Sequence, residues 1–324
     1  MKRNFKVFSA LLSMTLFAGC SGNELPDEEV SPKTPTEQQG DLRVTFDPFD
    51  NEGTTTRSLR NDNFGQLTFE DGDVVNVYNE TLRYYDFYTF RTDGFYYDAE
   101  MSGDAIPWVE EPKFAILRGA TDQNVKGYID RATRTTRMDI VLPHTLVFDA
   151  SSKVVNFDGK GGIGYACDMP MFGYASYSSE GDYIEVSNLR YLVGVMKIGL
   201  QGITGTARFL KLTNTAGKPL SGTFTAQLNT DPAERKNTKL EVLDEKLTVY
   251  PELYIDLRSI PSGTSCIYIP VVAGISGTAD GVKLEYSADT AHDSAEKATG
   301  WQPVTTVSFA GMTFKQHCRY TVNN

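Results

Sequence analysis

Three histidines, four cysteines and 42 acidic side chains are the residues of this 324-residue chain with the means to do chemistry. His144, His292 and His317 form no metal-spaced pair, and no G-x-S-x-G elbow presents a serine nucleophile. The run Gly159-Lys160-Gly161-Gly162-Ile163-Gly164 carries the glycines of a dinucleotide fingerprint, whose role is to seat a pyrophosphate at the start of a helix. Pro170 and Gly173 follow closely and no βαβ unit surrounds the run, so the match reads as accidental. Nothing in the spacing of the acids singles out a glycosidase pair. The expectation is a non-enzyme with no cofactor and no metal site.

Cysteine offers the most specific signal. Met1 to Lys6 is basic, and Val7 to Ala18 is an apolar run of signal-peptide length, too short to span a bilayer. It ends Leu16-Phe17-Ala18-Gly19-Cys20, which resembles the lipobox of bacterial lipoproteins, with Phe17 where an aliphatic residue is usual. Residues 1–19 are thus expected to be removed and Cys20 lipidated, leaving an outer-membrane, surface-anchored protein. Ser21 to Gly40 follows with Glu24, Asp27, Glu28, Glu29 and three prolines and almost nothing apolar, so residues 20–40 read as a disordered tether. Acids just behind the cysteine also resemble the surface-export signal of Bacteroides-type lipoproteins. Cys167, Cys266 and Cys318 remain. Outside the cytoplasm an odd number allows at most one bridge, for which Cys266 and Cys318 are the better pair, the alternative being three buried small hydrophobes.

Charge narrows the partners. The chain carries 31 basic side chains and a formal charge of −11, and loses Lys2, Arg3 and Lys6 with the signal peptide. Phosphate backbones need clustered Lys and Arg, so nucleic acid is not expected, and any membrane link must be through lipid.

The elements that position these residues read as strands. From Asp41 onward, short segments alternate apolar and polar residues between Gly, Asp, Asn and Pro clusters. Leu42, Val44 and Phe46 share one parity, Val74 to Tyr78 follows a turn, and Asp93-Gly94 suits the tight hairpin joining Tyr84 to Phe90 with Phe95 to Tyr97. Further runs are Asp139 to Leu142, Leu189 to Leu200, Ala207 to Thr213, Gly222 to Leu228, Leu247 to Leu257, Cys266 to Val272 and Val282 to Tyr286. The one segment with room for a short helix is Asp231 to Leu243. The eight aromatics between Tyr84 and Tyr97 fall on both strand faces, so at least one face must be core; an exposed face would suit sugar stacking. Trp108 and Trp301, each beside a proline-containing turn, are weaker candidates for the same role. The expected fold is all-β. At 284 residues past the tether, two tandem antiparallel β-sandwiches at 41–187 and 188–324 are the economical arrangement, with the boundary near Ser187.

In this order the segments resemble a known family. The lipobox, the tether, Leu42 to Phe46, Thr54-Thr55-Thr56-Arg57, Phe69-Glu70-Asp71-Gly72-Asp73-Val74-Val75-Asn76-Val77-Tyr78, Leu189 to Ile198 with Leu220-Ser221-Gly222-Thr223-Phe224, and the closing Phe309 to Tyr320 are similar to the fimbrillin family of Bacteroides-type bacteria, the FimA and Mfa-like pilins. The resemblance implies transthyretin-like sandwiches and a structural subunit of an adhesive surface fimbrium. It also implies assembly by β-strand addition: a protease acting after an arginine removes the first strand, and a neighbouring fimbrial subunit fills the groove. Arg57, and next Arg60, are the candidate processing sites here, with Leu42, Val44 and Phe46 as the plug. Burial of three such side chains is worth about 5 to 8 kcal/mol. At the other end Met312, Phe314, Cys318, Tyr320 and Val322 share one face of an amphipathic strand. If that strand closes the second domain, the expected place is tip or anchor; if it is a donor, a stalk role survives. The alternative function is a surface glycan-binding lipoprotein of a polysaccharide-uptake system, which needs exposed coplanar aromatics.

Overall fold

A computed structural model describes residues 39–40, 42–46, 74–79, 84–91, 94–97, 112–118, 125–130, 135–148, 153–155, 163–167, 169–178, 183–200, 203, 206–228, 239–241, 248–275, 282–304, 314 and 319–322. The fold is all-β. Among the described residues the only helical turn is Ala295–Lys297, and no helix is long and apolar enough to cross a membrane.

One sheet closes on itself. Its path runs Gly94–Tyr97, Leu42–Phe46, Tyr183–Tyr191, Met171–Ser178, Pro112–Arg118, Val74–Asn79 and Tyr84–Arg91, which pairs back onto Gly94–Tyr97. Alternation places Leu42, Val75, Val77, Tyr88, Ile184 and Val186 in a first core, with Ile140 and Phe224 of a neighbouring sheet. That neighbouring sheet orders Lys239–Glu241, Ser221–Leu228, Thr135–Leu142 and Val125–Asp130. The segment read as having room for a helix therefore contains a strand, because Lys239–Glu241 finds edge pairing along Thr225, Ala226 and Gln227.

A second core lies between two more sheets. The outer one orders Gln302–Pro303, Val282–Ser287, Phe209–Asn214, Glu252–Asp256 and Thr145–Val147. The other orders Lys153–Val155, Ile163–Ala166, Cys266–Val271, Gly194–Gly199 and Arg319–Val322, and its central strands Cys266–Val271 and Gly194–Gly199 contribute to both cores. In Cys266–Val271 every residue is buried. Cys266 and Tyr268 enter the first core, whereas Ile267, Ile269 and Val271 enter the second. The neighbours obey the same parity: Val195, opposite Pro270, faces the first core, while Met196 and Ile198, opposite Ile269 and Ile267, face the second. A period of two thus serves two cores from one sheet, which explains why this stretch reads as a continuous apolar run.

The boundary expected near Ser187 falls inside the strand Tyr183–Tyr191. Three sheets combine strands from both sides of it: Thr135–Leu142 pairs with Ser221–Leu228, Ile163–Ala166 with Cys266–Val271, and Thr145–Val147 with Glu252–Asp256. Both neighbouring registers shift around Asn188, between Ser187 and Arg190 on one side and between Val186 and Leu189 on the other. Gly173 packs there so closely that an added Cβ would stand 3.0 Å from the Ser187 carbonyl.

Two polar devices hold the turns of the outer sheet. Asp289 accepts hydrogen bonds from the Ala291 and Thr299 amides and the Thr299 hydroxyl and pairs with His292 Nδ1, which together hold its carboxyl well below the usual carboxylate range. Burial pushes the Asp256 carboxyl up, but the Arg258 guanidinium, 2.7 Å away, outweighs it and the net shift is down.

Candidate functional site at the first strand

Leu42–Phe46 is an inserted strand. On one side it runs parallel to Tyr183–Tyr191, with Leu42, Arg43 and Val44 opposite Ile184, Glu185 and Val186. The register then slips by one residue at the Ser187–Asn188 bulge, so that Phe46 stands opposite Leu189. On the other side the junction is slight. Gln39 and Gly40 pair parallel with Gly94 and Phe95, and Leu42 pairs antiparallel with Phe95. A strand with a registered ladder on one side and so short a junction on the other is the weakest link of a closed ring.

Two side chains anchor it. Leu42 is wholly buried in the first core with Ile184 and Val186. Arg43 is exposed and lies over the ring of Tyr183, with its guanidinium carbon 3.7 Å from the ring centroid, well inside cation–π range. Glu185, directly opposite Arg43 in the register, is also exposed. The sequence reading missed Tyr183 and Glu185, since only the pairing brings them beside a strand some 140 positions away. Cys20, Arg57, Arg60, Trp108 and residues 1–36 lie outside the described residues, as do the side chains of Val44 and Phe46.

The terminal strand is engaged in its own chain. Arg319–Val322 runs parallel to Gly194–Gly199, with Val195 opposite Arg319 and Ile198 opposite Val322. Tyr320, Val322 and Phe314 belong to the second core, where the Phe314 and Tyr320 rings meet edge to face at 4.9 Å. Met312 and Cys318 lie outside the described residues. Cys266 stands opposite Gly199, whereas Arg319 stands opposite Val195, four residues along that strand, or about 13 Å at strand rise. Cys266 also faces the first core and Tyr320 the second.

The glycine run leads into the strand Ile163–Ala166 rather than a helix, and residues 159–162 lie outside the description. Tyr88 is wholly buried and Phe90 and Tyr97 pack against the same core, whereas Phe87 and Tyr96 are half-buried. A second aromatic group, which the sequence reading did not assemble, surrounds His144. Its ring stacks on Tyr250 at 4.0 Å, Tyr254 meets it edge-on, and Trp301 tilts against Tyr254. Desolvation raises the Tyr254 phenol pKa, helped by Glu252, Glu296 and Glu285. Lys211 lies over Trp301 and pairs with Glu285 at 3.0 Å. These rings pack on one another at differing tilts and present no common plane. His317 lies outside the described residues. No group of three or more His, Cys, Asp or Glu side chains with metal-ligand geometry occurs among the described residues.

No protein-family model and no curated protein matches this chain.

Proposed function

We propose that this protein is a surface lipoprotein of the fimbrillin type, a structural subunit of an adhesive fimbrium joined to its neighbours by β-strand addition. The observation that carries the reading is the place of Leu42–Phe46 between Tyr183–Tyr191 and Gly94–Tyr97 in an otherwise closed ring. Removing a strand from that place exposes two backbone edges that face each other and an apolar floor that includes Ile184 and Val186. Each unpaired buried backbone group costs on the order of 1 to 3 kcal/mol. An opened ring therefore binds a replacement strand, and the natural replacement comes from another subunit. Arg319–Val322 is already engaged in its own core, so the incoming strand is a partner's.

The glycan-binding alternative draws less support, because Tyr88 is buried in the first core and the rings of His144, Tyr254 and Trp301 pack against one another at differing tilts. The test is N-terminal sequencing of the protein extracted from the cell surface. A start just after Arg57 or Arg60 supports the reading; a surface population that begins uniformly at Cys20 and retains Leu42–Phe46 counts against it.

A further inference from the structure

Resting on the strand-addition reading above, the geometry points to a specificity element in the groove: it selects a donor strand that carries a cation, arginine above lysine, at the register position of Arg43. Strand alternation divides the contact into two faces. Leu42, Ile184 and Val186 are buried, and any donor with alternating apolar residues satisfies that face. Arg43, Tyr183 and Glu185 form the other. In a parallel pair Arg43 lies beside Glu185, and two residues before Glu185 on the same face is Tyr183, whose ring takes the guanidinium at 3.7 Å. Arg43 and Glu185 are exposed, so the pair contributes little to folding and is free to discriminate.

Once the first strand leaves, Tyr183 and Glu185 remain at the rim as an aromatic ring beside a carboxylate. That pair attracts a planar delocalised cation, accepts an ammonium less well, and repels an acid. The chain's formal charge of −11 adds to the repulsion of acidic strands. The occupant is therefore a partner subunit's strand with apolar residues at alternate positions and arginine or lysine between the first two.

The test uses the full chain, nicked by trypsin between the first strand and the body, and fluorescent peptides spanning residues 39–48. One peptide is native, and others carry Lys, norleucine or Glu in place of Arg43. Competition should rank them Arg, Lys, norleucine, Glu, with Arg about two- to five-fold ahead of norleucine. Glu should trail on the order of tenfold, since it loses the stacking and faces Glu185 directly. Tyr183→Leu should erase the Arg-over-norleucine preference and Tyr183→Phe should keep it, which separates the ring's recognition from any effect on folding. Glu185→Gln should narrow the Arg-over-Glu gap. Equal entry of all four peptides overturns this inference and leaves strand addition standing. Entry of none, the native peptide included, overturns both.

Discussion

Replacing Leu42 by alanine separates two ways in which the first strand could be held. The side chain is wholly buried against Ile184 and Val186. Removing it costs the transfer free energy of the lost atoms plus a cavity term, together about 2 to 5 kcal/mol. Set against a total stability of roughly 5 to 15 kcal/mol, this is large. The cost need not reach the whole molecule, however, because the strand's second junction is confined to Gly94 and Phe95. If the strand opens alone, a loss of about 3 kcal/mol multiplies the opened population roughly a hundredfold. Hydrogen exchange read by mass spectrometry locates the effect. Peptides covering 42–46 and the facing edge of Tyr183–Tyr191 should lose protection, while Cys266–Val271, where every residue is buried, should keep it. Equal loss across both regions would mean that the first strand is fused to the global fold and that the plug reasoning is wrong. No change anywhere would contradict the burial of Leu42.

Gly222→Ala should be among the most destabilising small substitutions, costing about 3 kcal/mol or more in urea denaturation. Its φ of 118° is strained for an L-residue, and a Cβ would stand 2.2 Å from the Thr248 carbonyl, which accepts the Thr223 amide. A loss under 1 kcal/mol would contradict the close approach of Thr248 to Ser221–Leu228. Asp289 gives an acid sensitivity whose sign is set by its lowered pKa. The stabilisation is full above the unfolded-state value near 4 and is lost as pH falls below it. Melting temperatures measured between about pH 6 and 2 should fall less steeply for Asp289→Asn than for the wild type; identical slopes would remove Asp289 from the acid response.

Strands whose two faces meet different surroundings were legible from sequence. Tyr84–Arg91 and Gly94–Tyr97 follow from the Asp93-Gly94 turn, and Val74–Asn79 from its β-branched residues and preceding turn. Met171–Ser178 was not legible, because its first five residues are all buried and show no alternation. Leu189 to Leu200 read as one strand but is two, since the chain leaves the ring at Tyr191 and enters the sheet shared by both cores at Gly194. Leu247 to Leu257 likewise divides at Pro251, which has no amide to continue a ladder. The break read at Ser187 is a bulge within a strand: local composition marks an irregularity but does not say whether the chain turns there. At the candidate site the apolar member Leu42 was legible from parity. Tyr183 and Glu185 were not, because long-range register alone places them beside Arg43.

The central claim is that Leu42–Phe46 is a replaceable strand, and the most direct measurement follows that segment itself. The full chain is nicked with trypsin in the stretch containing Arg57 and Arg60, then incubated with and without an excess of a donor strand from a fimbrial subunit. Mass spectrometry tracks which fragment remains bound to the body. The account predicts that the nicked first strand stays in place alone, leaves when the donor is added, and is replaced one for one in a complex that resists heating. A first strand that never leaves, or a body that unfolds when it does, would contradict it.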